Sequence, residues 1–217
     1  MPERSARRRA LDFSLQLLVV VLGVTISLAL DEWRTSRAED RAAVDLTDRL
    51  VADLEADLEE LDRGRARIDR MAMAYQALLD AGDLPDDSTD VYLDLAVSYM
   101  LFLSHDEAYE GMRQTGTSSL LNADWRADLI RLHTRVYGRA REWDDISRQF
   151  VLDRMIPYIE ANGPELEGTT VNGGVWAGSS AFRALEDDVH FRNLLRTNLL
   201  FKQTQSTVYG LTRDQIE

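Results

Sequence analysis

The sequence predicts an all-α protein in which an N-terminal transmembrane helix continues into a long stalk helix and then an extracytoplasmic helical bundle. Three observations carry this expectation. Residues 13–30, FSLQLLVVVLGVTISLAL, hold no charged side chain. From Asp31 to about Ala81 there is no proline and a single glycine, Gly64, while Leu46, Leu50, Leu54, Leu58 and Leu61 recur every three or four residues on one helical face. The apolar positions further along the chain keep the same helical spacing.

The run at 13–30 reads as one membrane span. At about 1.5 Å per residue it reaches roughly 27 Å, close to the hydrocarbon thickness of a bilayer. Its polar members, Ser14, Gln16, Thr25 and Ser27, are uncharged, and the hydroxyls can bond back to the helix's own carbonyls. Arg4, Arg7, Arg8 and Arg9 precede the run, whereas Arg34 and Arg37 behind it are interleaved with Asp31, Glu32, Glu39 and Asp40. The positive-inside bias places residues 1–12 in the cytoplasm and the domain beyond the span in the periplasm, with the inner membrane as the expected location. All but Lys202 of the 25 basic residues are arginine, a usage associated with GC-rich bacterial coding. The alternative is a cleaved signal peptide, with Ser27-Leu28-Ala29 as the cleavage site. Against it, the apolar run continues to Leu30 and meets Trp33, which suits an interfacial aromatic belt, and the helical pattern goes on without a break. Gly23 and Ser27 form a small-x-x-x-small pair through which two spans can approach, so a homo-oligomer is a candidate assembly. The leucine face from Leu46 to Leu61 either continues that contact or packs on the domain's own helices.

Composition narrows the function classes. The net charge is −13, and because the N-terminal arginines outweigh Glu3 and Asp12, the domain beyond the span is more acidic still. Such a surface repels nucleic acid and anionic head groups, so no nucleic-acid role is expected. The chain has no cysteine, which removes disulfides, thiol catalysis and thiolate metal sites. No cofactor is expected.

The juxtamembrane stalk, residues 31–81, is expected to pack on the bundle. Within it Asp53, Glu55, Asp57, Glu59, Glu60 and Asp62 stand with no basic residue among them. A solvated face explains such a run, and the sharper reading is a docking stripe for a basic protein partner or cation. Gly82 and Pro85 stop the helix. Asp83, Asp86, Asp87 and Asp90 crowd the next turn but lack the spacing and glycine of a calcium loop, and Ser88 or Thr89 is expected to cap the following helix.

Residues 82–217 are expected to form the α-helical domain. Residues 91–103 are apolar but too short to span a membrane, and read as a buried core helix. Ser104 and Glu107 make a capping box for a short helix ending at Gly116, with Asn122 capping the next. That helix should run to Ala161 on a seam of Trp125, Leu129, Leu132, Val136, Trp143, Ile146 and Phe150, with Arg139 on the same seam. Gly116 and Asn122 therefore frame a structural turn. His133, beside Leu132, reads as a hydrogen-bonded core histidine, and His105 with Asp106, Glu107 and Glu110 as capping chemistry rather than a metal cluster. The Gly-rich loop at 163–180 has the glycine spacing of a phosphate loop at Gly173 and Gly178, but Ser179 stands where the lysine is needed. Trp176 within it is either folded onto the domain or offered to a partner. A last helix follows on Phe182, Leu185, Val189, Leu195 and Leu199.

A span closing on LALDEW, an acidic-leucine helix containing RLVADLEADLEEL, and then AYEGMRQTGTSSLLNADWRADLIRLHTRVYGR together resemble a family of uncharacterised single-span bacterial membrane proteins, the DUF6090-like proteins. Met112, Thr115, Gly116, Leu120, Leu121, Asn122 and Tyr137 fall on that family's pattern, with Met112, Thr115 and Val136 replacing its usual Leu, Ser and first Tyr. The resemblance covers residues 13–140. It implies the single-span architecture and transfers no catalytic residue.

Function is then argued from topology and charge. The expectation is a membrane-anchored, non-enzymatic interaction or scaffold protein of the bacterial envelope. The alternative is an extracytoplasmic small-ligand sensor that signals through a partner, and the remote alternative is a hydrolase, for which no activated nucleophile is legible.

Overall fold

The computed structural model describes residues 3–80, 85–163 and 178–216, without the side chains of residues 3–17, 19, 20, 86, 87 and 178–181. All elements among the described residues are helical. The first, α1 (Glu3–Asp80), is a single helix of 78 residues, or roughly 117 Å at 1.5 Å per residue. Its two parts differ sharply in what they touch. Residues 21–42 are exposed without exception, whereas Leu50, Asp57, Leu61, Ile68, Met71, Tyr75 and Leu78 are buried at the helical spacing. The stalk thus continues into the body as one of its principal helices.

After α1 come α2 (Asp86–Ala96), α3 (Glu107–Thr115) and a short 3-10 turn (Thr117–Leu120). One long helical course then runs through α4 (Ala123–Arg131), α5 (Tyr137–Phe150) and α6 (Ile156–Asn162), joined by two π-helical turns, Leu132–Val136 and Val151–Met155. The described course closes with α7 (Gly178–Leu185) and α8 (Val189–Arg213). Helix α8 lies antiparallel to α1: Arg213 Nε meets Asp62 at 3.0 Å, Ser206 Oγ donates to Asp69 at 2.7 Å, and Arg192 donates to the Leu79 carbonyl at 2.8 Å. The α4–α6 course runs parallel to α1, since Asp57 meets Tyr137 near one end and Tyr75 meets Met155 near the other. Three long helices therefore form the bundle, and α2, α3 and α7 close its ends. At Gly64 the approach is closest: a β-carbon there would lie 2.7 Å from the Tyr209 ring.

The core divides along the bundle. Far from the N-terminus, Met71, Tyr75, Leu78, Met155, Phe182 and Phe191 pack together. The middle holds Leu61, Ile68, Phe102, Leu132, Tyr137 and Tyr209, and the near end holds Leu50, Tyr109, Met112, Leu121 and Leu129. The leucine face expected on α1 is spent here, with Leu46 and Leu54 packed beside Leu50 against α3 and α4. It faces the protein's own helices.

Several local expectations hold. Gly116 ends α3 in the left-handed conformation at φ 71°, and the Asn122 side chain accepts the Trp125 amide at 2.8 Å. Others are corrected. The apolar stretch at 91–103 is not one helix, because α2 ends at Ala96 and residues 98–106 cross the bundle without regular structure. Two buried carboxylates hold that crossing by accepting backbone amides, Asp144 from Phe102 at 2.6 Å and Asp57 from His105 at 2.7 Å. Neither Ser88 nor Thr89 caps α2. Pro85 occupies the N-cap position, and Thr89 Oγ1 donates back to its carbonyl at 3.1 Å. The Ser104 box is absent as well: Asp106 stands at the N-cap of α3 without a side-chain cap, while Arg141 donates to both Ser104 Oγ and Asp106. The guanidinium takes up the capping oxygens.

Among the described residues no helix is long and apolar enough to cross a membrane. Of the run at 13–30, the described side chains are Leu18 and residues 21–30.

Candidate functional site

A seam of polar side chains lies inside the bundle, and the first π-turn brings the α5 members of it there. The expected seam passed through Val136, Arg139, Trp143, Ile146 and Phe150. The residues that face inward are Tyr137, Ala140, Asp144, Ser147 and Val151, each one position later. A π-turn inserts one extra residue into the helical register, so every position beyond it rotates by one. Val136, Trp143 and Phe150 become half-buried, and Arg139 goes to solvent. Asp144 and Ser147 go to the interior.

Asp144, 2% exposed, is the centre of one node. Besides the Phe102 amide it accepts from Gln205 Nε2 at 2.6 Å and from the Tyr209 hydroxyl at 3.0 Å. Burial pushes its carboxyl above the ordinary value, opposed by these donors and by Lys202. Lys202 is fully buried, with Nζ 2.8 Å from Ser147 Oγ and 3.5 Å from Gln205 Oε1. Burial lowers the ammonium to about 8, while the Asp144 charge resists that shift. A hydroxyl beside a lysine of lowered pKa is the pairing of a nucleophile with its base. Here both side chains are fully buried, so the pair acts as an internal hydrogen bond. Lys202 is also the chain's sole lysine, which is the sequence signal that marks it: a compact, neutralisable ammonium fits where a guanidinium cannot shed its charge.

The second node surrounds Asp57, which is fully buried. It accepts from the Tyr137 hydroxyl at 2.5 Å and, besides the His105 amide, lies 3.0 Å from His105 Nδ1. Tyr137 is held protonated by burial, reinforced by its bond to Asp57. His133 stacks on Tyr109 with ring centres 3.9 Å apart and points Nδ1 at Asp106, 3.4 Å away. Burial lowers its pKa below the usual imidazole value, against the pull of Asp106 and Asp57. It is the core histidine the sequence indicated. A third node, deeper in the bundle, joins Asn198 to the Tyr75 hydroxyl, which in turn donates to the Ala96 carbonyl.

The acidic stretch on α1 is divided among these environments. Asp57 faces the core, and Asp53 accepts the Ala108 amide at 2.9 Å. Asp62 pairs with Arg213, and half-buried Glu60 with Arg63 at 3.1 Å. Glu55 and Glu59 are exposed. The six residues therefore do not form one surface. Gly23 lies open, with nothing within 4 Å of a β-carbon placed there, and Ser27 is exposed. Trp176 and most of the Gly-rich loop lie outside the described residues. Among the described residues no cluster of His, Asp and Glu is arranged to hold a metal ion.

No family model matches the chain, and neither a curated protein nor a solved structure matches it.

Proposed function

We propose that this protein is a membrane-anchored, non-enzymatic interaction or scaffold protein of the bacterial envelope, with its helical head in the periplasm. One observation carries the reading. Leu18, Val21, Leu22, Val24, Ile26, Leu28 and Leu30 are between 49% and 66% exposed, and at about 100° per residue they cover about two thirds of the circumference of α1, with the uncharged Gly23 and Ser27 on the remaining third. A soluble helix exposes one polar face and buries one apolar face. A helix apolar all round requires an apolar surrounding on every side, which a lipid bilayer supplies. Trp33 follows immediately, with the Arg37 guanidinium 4.6 Å from its ring centre, an arrangement suited to the membrane interface. The arginines at positions 4, 7, 8 and 9 favour a cytoplasmic N-terminus, and the resemblance to the DUF6090-like proteins supports the same plan. The head's ionisable interior is committed to holding helices together, which favours a binding surface over a reaction centre.

Full-length protein in carbonate-washed membranes tests the anchor, and a phosphatase reporter fused after Glu217 tests the side. Retention at full length with an active periplasmic reporter is expected. Release of a shortened form beginning near Leu30 would establish a cleaved signal peptide instead.

A further inference from the structure

Beside the first π-turn, where α4 gives way to α5 and the end of α8 passes, the surface opens into two adjoining clefts of about 300 and 310 Å³ that share Val136 and Gln215. Leu54, Leu132 and Val208 give them apolar walls, and Leu211 stands 55% exposed at the lip. Arg135 and Arg139 line the second cleft, both exposed and neither in an ion pair among the described residues. Arg131 lines the first cleft with Asp128 3.8 Å away, so the rim carries three arginines to one aspartate around an apolar floor, in a chain of net charge −13.

A complementary surface exists on α1. Val44, Asp48, Val51, Glu55 and Glu59 follow one another at spacings of three and four and share a face. Val44 is 61% and Val51 41% exposed, and the three acids are exposed with no ion-pair partner among the described residues. The stripe lies about a quarter turn around α1 from Leu54, which belongs to the groove, and spans the same height along the helix. Stripe and groove are thus neighbours on one side of the molecule. That is the arrangement a two-fold contact demands, in which each copy offers both halves.

We propose that the groove of one copy receives the α1 stripe of a second copy, and the reverse, in a parallel dimer whose axis runs along the membrane normal. The parallel orientation rests on the anchored reading above, because two copies held in one membrane present groove and stripe at equal heights. Among the described residues no further segment of the same chain covers the groove. Lipid lies away too, since Leu54 stands roughly 36 Å along α1 from Leu30. Charge selects among the partners left: an acidic stripe with two valines fits a basic rim with an apolar floor.

The test uses full-length protein in detergent micelles, sized by sedimentation, with two charge-reversed variants, Arg135→Glu/Arg139→Glu and Glu55→Arg/Glu59→Arg. The wild type is expected to be dimeric. Each variant alone should dissociate at least about tenfold more readily, since like charges then face each other at both contacts. Mixing the two variants should restore a dimer, because each contact becomes complementary again. Unchanged melting of the heads shows that the reversals act at the surface. A monomeric wild type, reversals without effect, or a mixture that stays monomeric would each overturn the proposal. The membranes are washed with carbonate before each sample is extracted into detergent: a retained monomer refutes the dimer alone, while loss of retention refutes the anchor.

Discussion

The two stretches of α1 show opposite departures from what water dictates. Around residues 18–30, aliphatic side chains are exposed over most of the circumference, and between residues 50 and 78 the same helix buries an aspartate among leucines. One stretch exposes what is ordinarily hidden, and the other hides what is ordinarily exposed. The difference lies in what surrounds each. In the second stretch Asp57 accepts from the His105 amide and the Tyr137 hydroxyl and lies beside His105 Nδ1, so its burial is compensated. Among the described residues no protein group covers the first stretch, and its compensation is the proposed bilayer. The comparison teaches that helix formation in α1 is continuous while its surroundings change from open exposure to the protein's own core.

The buried side of the comparison breaks most easily at Asp144. Asp144→Ala leaves the Phe102 amide, Gln205 and Tyr209 without their acceptor and Lys202 without its counter-charge, and should cost about 3–5 kcal/mol in denaturant unfolding of fragment 34–217. A matching truncation in the exposed stretch, Val24→Ala, should leave the head's unfolding in full-length protein within about 0.5 kcal/mol of wild type. Gly64→Ala comes next, because its new β-carbon meets the Tyr209 ring at 2.7 Å; the helices must move apart at a cost of about 1–3 kcal/mol, read as a lower melting temperature.

A smaller effect comes from pH. Above about 6.5 the imidazole is neutral in both folded and unfolded chains. As pH falls below that value the unfolded chain takes up a proton that buried His133 resists, so stability declines, by at most about 1.4 kcal/mol per pH unit, until the lowered folded pKa is reached. His133→Phe keeps the stack on Tyr109 and removes this dependence, so wild type should lose stability relative to the variant between pH 7 and 5. A gap that widens in favour of wild type would mean that Asp106 and Asp57 outweigh burial. Among the substitutions in the head, Gly116→Val is the mildest. Nothing lies within 4 Å of a β-carbon there, so the cost is the left-handed backbone alone, about 1 kcal/mol, seen as a modest fall in melting temperature.

These positions also mark how far the sequence could be read. Gly116 and Asn122 were legible because a left-handed turn and an N-cap are decided by one or two local residues. The all-helical class was legible from spacing. The π-turn at Leu132–Val136 was not, since an inserted residue leaves no mark in a 3/4 pattern and is fixed by packing against other helices. That single step displaced the expected seam and hid Asp144 and Ser147 from view. Asp57 was read as one of six solvated acids because its partners, His105 and Tyr137, lie far away in sequence. The break of the 91–103 segment escaped for the same reason: the two carboxylates that hold it come from α1 and α5.

The absence of cysteine allows the proposed division of α1 between lipid and water to be measured directly, by placing single cysteines at Ser5, Val24 and Ser36 and treating intact spheroplasts with a membrane-impermeant maleimide. The anchored arrangement predicts that Ser36→Cys is labelled at once, that Ser5→Cys reacts only after the membrane is permeabilised, and that Val24→Cys stays unreactive until detergent is added. Labelling of Val24→Cys at the rate of Ser36→Cys in intact spheroplasts would contradict it.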